Sequence, residues 1–206
     1  MRKLIDISFA IIGWFAVISQ FILMIENRTT SIMEMAIRFF SFFTILTNTL
    51  VSAYFTYRVF DKKKSPKSIF NQPSSLTAIA VYITVVGIVY QVALRHIWQP
   101  TGFQMIVDEL LHTLIPTLVI CYWVLYEQKS RLEWKWIPGF LLYPLFYLAF
   151  ILLRGEFSGF YPYPFVNVIE LGWFQSLINI VVLLGVFVFL SLIFIGVGKL
   201  TIKKKV

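Results

Sequence analysis

The sequence predicts an all-α membrane protein, a bundle of six transmembrane helices. Of its 206 residues 59% are hydrophobic and only 14% are charged, and the mean hydropathy is +0.80, so a soluble domain would expose more apolar surface than it could cover. Lipid favours helices because each satisfies its own backbone hydrogen bonds, and the alternating pattern of a transmembrane barrel does not occur. The segments that are long and apolar enough to span a bilayer are 8–25, 36–57, 77–94, 109–126, 138–153 and 177–197.

The basic residues predict how these helices are oriented. Fourteen of the 18 Lys and Arg residues lie in the N-terminal arm, the second and fourth loops and the C-terminal tail. By the positive-inside rule, both termini of this cell-membrane protein are expected to face the cytoplasm. Topology thus explains the net charge of +8, and no nucleic acid partner is expected. A patch for anionic lipids could also form in the second loop, from Lys62, Lys63, Lys64 and Lys67.

The whole chain, 1–206, is predicted to be one integral membrane domain. Its first apolar run is long and no signal-peptidase site follows it, which indicates a retained helix. Segment 154–176 contains many aromatic residues and prolines but is not apolar enough to span, so an irregular or re-entrant cap at the outer interface is expected. Cys121 is the only cysteine, and we expect a buried, inert thiol.

Polar side chains concentrate in the half of the bundle that the charge pattern assigns to the outside. At 1.5 Å of rise per residue, Thr44, Thr47 and Asn48 lie roughly 12 to 18 Å below the outer surface. The cytoplasmic halves of the helices are almost wholly apolar. This bias predicts a polar pocket in the outer half, although hydrogen bonds between packed helices would explain single residues as well. His112 is expected roughly one helical turn inside the outer surface, and the polar residues expected close to that surface are Arg38, Ser41, Gln91, Arg95 and Asp108.

His112 is the strongest candidate for chemistry. Asp108 and Glu109 precede it by four and three residues, which places both carboxylates on its own helical face. A carboxylate beside an imidazole fixes its tautomer and raises its basicity, as a general base requires. Pro116 cannot donate to the carbonyl of residue 112, so a free backbone acceptor is expected there. A histidine satisfied by hydrogen bonds between helices is the alternative.

The second span offers a nucleophile. Arg38, Ser41, Thr44 and either Thr47 or Asn48 recur every three to four residues, so they are expected along one side of the helix. A threonine hydroxyl becomes nucleophilic only when a base takes its proton, and His112 is the candidate base at this depth. Such chemistry also requires an oxyanion donor, which Arg38 or Asn48 could supply.

A metal site is the competing chemistry. Glu109 and His112 have the spacing used by di-iron carboxylate bundles, but those sites need two such pairs and further carboxylates. The chain has one pair and only one other histidine, His96. We therefore expect no metal and no cofactor.

Three stretches resemble a known family. They are "FFTILTN" in the second span, "LHTLIPTLV" in the fourth and "GFYPYPF" after the fifth. With the six-helix layout they are similar to the bacterial membrane-protein family called Pr6Pr, and more distantly to the eukaryotic androgen-induced (FAR-type) family. The eukaryotic members are atypical threonine hydrolases that split fatty acid esters of hydroxy fatty acids.

The resemblance implies a catalytic threonine and histidine. The histidine is His112. The threonine is Thr44 if "FFT" is matched, or Thr47 if the family's Leu-Thr is matched instead. Thr44 is preferred because the aromatic pair downstream then aligns with Tyr54 and Phe55.

Together these observations predict a multi-pass membrane protein that hydrolyses a lipid ester through an acyl-enzyme. Thr44 would attack, His112 would act as base and then acid, and Asp108 or Glu109 would orient it. Membrane lipids and a lipid ester or acyl-chain substrate are the expected partners. The alternative is a non-enzymatic membrane protein: a small-ligand binder, a transporter or an interaction scaffold. Transporters often have paired broken helices, and the sequence predicts only the break at Pro116.

Overall fold

The computed structural model describes residues 2–61 and 68–202, so the possible lysine patch at 62–64 and 67 lies outside the described residues. The chain divides into two compact units, Met1–Glu127 (unit 1) and Gln128–Val206 (unit 2), and the single integral membrane domain stays a prediction. Among the described residues, five helices are long and apolar enough to cross a membrane, or six if one bent pair counts as a single span. These helices are compatible with a multi-pass membrane protein.

Unit 1 is built around α3, which packs against α1 and α4, while α4 packs against α6. Two π-helical turns, Tyr90–Leu94 and Leu110–Leu114, extend α4 and connect α5 to α6. The helices of this unit are α1 (Arg2–Glu26), α2 (Ile32–Phe40), α3 (Phe43–Phe60), α4 (Ser75–Val89), α5 (Gly102–Glu109) and α6 (Ile115–Tyr126).

The second predicted span is broken rather than continuous. Helices α2 and α3 meet at an angle of 73°. The Oγ of Ser41 donates to the carbonyl of Ile37 at 2.7 Å, a bond of the kind that bends helices, and Phe42 is extended with φ −83° and ψ 125°. Arg38 and Ser41 therefore do not share one continuous helical face with Thr44, contrary to the prediction.

Two glycines let the helices of unit 1 approach closely. A Cβ at Gly13 on α1 would overlap the Oγ of Ser52 on α3. A Cβ at Gly87 on α4 would lie 3.3 Å from both the carbonyl oxygen of His112 and the Cβ of Pro116. Small residues at such contacts are typical of helix packing in membranes. They hold α3 against α1, and α4 against the segment around His112.

Unit 2 contains α7 (Ile137–Ser158) and α8 (Val168–Leu200), which pack against each other. Most of the predicted 154–176 cap is helical, because α7 continues to Ser158 and α8 begins at Val168, so residues 159–167 make the connection. The ring of Tyr161 lies so close to Gly155 that no Cβ would fit there. Gly172, with φ 75° and ψ 162°, interrupts α8 near its start.

Cys121 on α6 is exposed, whereas the sequence predicted burial. Its neighbours Tyr122 and Trp123 are each 2% exposed. Periodicity around Cys121 does not distinguish the two sides, because nearly every residue of α6 is apolar. The packing of α6 against α4 settles which side is buried.

Candidate functional site

The candidate site lies where the two π-helical turns meet. Such turns are rare and occur frequently at functional sites. In the second turn the carbonyl of Leu111 would be bonded by an N–H five residues later, but that residue is Pro116, which has none. The Nδ2 of Asn48 donates to this carbonyl instead, at 3.2 Å. A side chain of α3 thus stabilises the irregular turn that carries His112.

The imidazole of His112 is held by a carboxylate and by an aromatic ring. Its Nδ1 lies 2.9 Å from the backbone oxygen of Asp108 and 3.2 Å from Oδ1 of the same residue. Both are acceptors, so Nδ1 carries the proton and Nε2 is the basic nitrogen. The ring of Tyr90 stacks on the imidazole, with 4.0 Å between centroids and 14° between planes. The side chain of His112 is 13% exposed.

Asp108 is the group that positions His112. Its side chain is buried, with Oδ1 beside Nδ1 of His112, and the hydroxyl of Tyr90 donates to Oδ2. The carboxylate is thus satisfied on both oxygens, which a buried charge requires. Of the two carboxylates suggested by sequence spacing, Asp108 contacts the imidazole.

Glu109 belongs to a separate, exposed network. Its carboxylate accepts from Arg95 and from the Oγ1 of Thr113, the latter at 2.6 Å. Gln91 completes the network by donating to Thr113 at 2.9 Å and accepting from Arg95 at 2.9 Å. This group forms a polar rim beside the buried Tyr90, Asp108 and His112.

The three candidate residues of α3 are buried. Thr47 and Asn48 have no exposed surface, and Thr44 is 8% exposed. The Nδ2 of Asn48 donates to the carbonyl of Thr44 at 2.9 Å as well as to that of Leu111. One amide nitrogen therefore connects the backbone of the candidate nucleophile Thr44 to the residue before His112.

The same bonds change the role expected of Asn48. Both of its amide hydrogens go to backbone carbonyls, and its Oδ1 is buried without a hydrogen-bond partner among the described residues. An amide oxygen can only accept, so Asn48 presents an acceptor and not the oxyanion donor suggested above. Arg38 lies on α2, beyond the bend, where its Nε pairs with Oε1 of Glu34 at 2.8 Å.

Sequence reasoning missed two features. In the sequence Tyr90 cannot be distinguished from an ordinary core tyrosine, because its partners Asp108 and His112 are on another helix. The helix halves that the charge pattern assigns to the cytoplasm, predicted to be almost wholly apolar, also contain polar groups, since the hydroxyl of Tyr122 donates to a buried Asp6 at 2.5 Å. Asp6 precedes the predicted start of the first span, but α1 begins at Arg2, so Asp6 lies inside the helix.

The described residues contain no group of three or more His, Cys, Asp or Glu side chains that could hold a metal ion. Comparisons of the chain with protein-family models, with curated proteins and with solved structures found no significant match. Its function therefore has to be inferred from its own residues.

Proposed function

We propose that this chain is a multi-pass membrane protein that hydrolyses a lipid ester, with His112 as general base and a threonine of α3 as nucleophile. The observation that carries the proposal is the buried Asp108, which leaves Nε2 of His112 as the basic nitrogen. Ionisable groups among apolar helices are costly and commonly functional. A carboxylate, an imidazole and a hydroxyl within reach of it are the components of a covalent hydrolase, and Asn48 links the backbone of Thr44 to that of Leu111, beside His112.

In the proposed reaction, Nε2 of His112 takes the hydroxyl proton of Thr44, and the oxygen attacks the ester carbonyl carbon. His112 then gives this proton to the leaving alkoxide, and the acyl group stays on Thr44. Water, deprotonated by the same Nε2, attacks the acyl-threonine; the carboxylic acid leaves and Thr44 recovers its proton. Asp108 stabilises the imidazolium in both halves of the reaction. Thr47 is the alternative nucleophile.

The class of substrate is proposed from the surroundings of the site. A lipid ester could enter sideways between apolar helices, while the exposed rim around Glu109 and Arg95 would admit water. The resemblance of "FFTILTN" and "LHTLIPTLV" to the Pr6Pr and FAR-type families supports the same chemistry. In this proposal both termini face the cytoplasm, as the positive-inside rule predicts.

The test is labelling of the purified protein with a fluorophosphonate probe, together with cleavage of a panel of lipid esters. Wild type should be labelled, and His112→Ala and Thr44→Ala should lose both labelling and cleavage. Thr117→Ala is the matched control, because Thr117 is exposed on α6 and its hydroxyl donates to the backbone carbonyl of Thr113 in the preceding turn.

The outcomes separate the alternatives. Loss of labelling in Thr47→Ala but not in Thr44→Ala would move the nucleophile to Thr47. A wild type that is neither labelled nor able to cleave any ester of the panel would remove the hydrolase proposal.

The second candidate function is that of a non-enzymatic binder or transporter of small ligands. Two helix interruptions favour it, the bend between α2 and α3 in unit 1 and Gly172 in unit 2, since broken helices form substrate sites in transporters. Recovery of the same lipid ester, intact, from purified wild type and from His112→Ala would support binding without hydrolysis.

A further inference from the structure

A second polar cluster in unit 1 lies away from the His112 site. It joins the first turns of α1 to the last turns of α3 and α6, and Tyr122 lies about 15 Å along α6 from His112, at 1.5 Å per residue. The charge pattern predicts that this end faces the cytoplasm. The cluster consists of Arg2, Asp6, Arg58, Tyr122 and Tyr126.

Asp6 and Tyr122 form the buried centre of the cluster. Asp6 is 3% exposed, and its Oδ1 accepts from the hydroxyl of Tyr122 at 2.5 Å. Two guanidinium groups approach this pair from different helices. The Nε of Arg2 donates to the hydroxyl oxygen of Tyr122 at 3.2 Å, and its guanidinium lies 4.8 Å from the ring centroid of Tyr126.

Arg58 is held near the carboxylate without a close bond. Its Nε lies 3.7 Å from Oδ2 of Asp6 and makes no hydrogen bond to any described residue. Strong guanidinium–carboxylate pairs are shorter and often bidentate. The five donors of a guanidinium need acceptors, and the side chain of Arg58 is only 21% exposed. Its guanidinium also interacts with the hydroxyl of Tyr122, so it is the Nε that has no acceptor among the described residues.

The charges and the surrounding surface indicate what would complete the cluster. Within the cluster the guanidinium groups of Arg2 and Arg58 accompany the single carboxylate of Asp6, and the carboxylate of Glu127 nearby accepts a hydrogen bond from Thr77. The same three helix ends also expose large apolar side chains, Leu4, Phe60 and Leu125. A ligand with several anionic oxygens and an apolar body would satisfy both features.

We infer that Arg2 and Arg58 bind the phosphate group of an anionic phospholipid, with its acyl chains against the exposed apolar surface. Guanidinium groups match phosphate oxygens in geometry and charge, and basic pockets between helices at the cytoplasmic face bind such headgroups. The hydroxyl of Tyr122 accepts from Arg2 and holds it in place. Because the carboxylate of Asp6 repels the phosphate, it also weakens the binding. This site is independent of the proposed hydrolase activity.

The test is binding of phosphatidylglycerol to the purified full-length protein, measured by native mass spectrometry and by the shift in unfolding temperature. Wild type should bind phosphatidylglycerol and be stabilised by it, and phosphatidylcholine with the same acyl chains should have little effect. Arg58→Gln and Arg2→Gln should each weaken binding roughly tenfold or more, the loss expected for a charge-assisted hydrogen bond. Arg2 is exposed, so its variant still tests the site if Arg58→Gln unfolds.

Two further variants separate binding from a structural role. Arg28→Gln removes the same charge from an exposed arginine bonded to the carbonyl of Ile25, and should bind like wild type. Asp6→Asn should bind phosphatidylglycerol more tightly than wild type even if it is less stable. A merely structural cluster would lose stability in Asp6→Asn with no gain in binding, which would contradict the inference.

Inorganic phosphate distinguishes the source of the anion. If inorganic phosphate displaces bound phosphatidylglycerol, the site recognises the phosphate group. If phosphatidylglycerol binds and inorganic phosphate does not compete with it, the acyl chains contribute to the binding. Both results support the site. Equal binding of phosphatidylglycerol to wild type and both arginine variants would overturn it. Binding of inorganic phosphate without phosphatidylglycerol would overturn the lipid assignment.

Discussion

At the scale of single residues, Tyr90 and Asp108 together decide the state of His112. Asp108 accepts from the side of the imidazole that carries a proton, while Tyr90 covers one face of the ring and donates to the other oxygen of Asp108. The contact between Asp108 and His112 could be predicted because the two residues are four apart on a helix. The contact with Tyr90 could not, because it depends on how α4 packs against the turn that contains His112.

Asp108→Asn should lower the turnover of ester hydrolysis by roughly 10² to 10⁴-fold with little change in KM, because an amide cannot stabilise the imidazolium. Steady-state rates on the best ester of the panel would measure this. Glu109→Gln is the matched control, since Glu109 bonds to Arg95 and Thr113 instead. Equal losses in both variants would show that the assignment to Asp108 is wrong.

Tyr90→Leu should make His112 react faster with diethylpyrocarbonate, because the stacked ring that shields the imidazole is removed. His96→Gln provides the background for this measurement, since His96 is the only other histidine, and mass spectrometry would follow the modification. Tyr90→Phe keeps the ring and should react at close to the parental rate. Equal rates for Leu and Phe at position 90 would mean that Tyr90 does not shield the imidazole in solution.

At the scale of helices, the structure differs from the prediction at its irregular turns. Hydropathy located the apolar segments, but it assumes a uniform helix and cannot show a bend at Ser41 or an extra residue between Leu110 and Leu114. Pro116 did indicate a missing backbone bond. The structure shows that its effect falls on the carbonyl of Leu111, which α3 satisfies through Asn48.

Asn48→Ala should lower the free energy of unfolding by about 1 to 3 kcal/mol, because the carbonyl of Leu111 would be left buried without a donor. Thr49→Val is a control on the next residue of α3, where the hydroxyl is buried without a described partner and its removal should cost little. Equilibrium unfolding in mixed micelles would compare them. A loss in Thr49→Val as large as that in Asn48→Ala would contradict the explanation.

Gly13→Ala should destabilise the protein by roughly 1 to 3 kcal/mol, because its Cβ would overlap the Oγ of Ser52 and force α1 away from α3. Ser52→Gly, combined with it, should restore part of the loss. Gly185→Ala in α8 has no neighbour within 4 Å of the new Cβ, so it should be neutral or stabilising. The same unfolding measurement applies, and a Gly13→Ala variant as stable as Gly185→Ala would refute the close contact.

At the scale of the whole molecule, composition was enough to predict a helical chain with several helices long and apolar enough to cross a membrane, because lipid admits few other ways to satisfy a backbone. The division into Met1–Glu127 and Gln128–Val206 could not be read from hydropathy, which treats every span alike. The orientation remains a prediction from the distribution of charge.

A cysteine in place of Lys64, in a Cys121→Ser background, should resist an impermeant thiol reagent in intact cells and react after lysis. The reason is the positive-inside rule, which assigns the second loop to the cytoplasm. A cysteine in place of Thr29, between α1 and α2, should react in intact cells. Ready labelling at position 64 would reverse the proposed orientation.

The π-helical turn at Leu110–Leu114 has a consequence for how this chain can change. It contains one residue more than an α-helical turn, and one residue corresponds to about 100° of rotation. A regular α-helix through the same residues would therefore turn its two halves relative to each other by about that angle. Either Asp108 would leave Tyr90, or Pro116 would leave Gly87, because only the wider turn accommodates the additional residue while both sides still face α4.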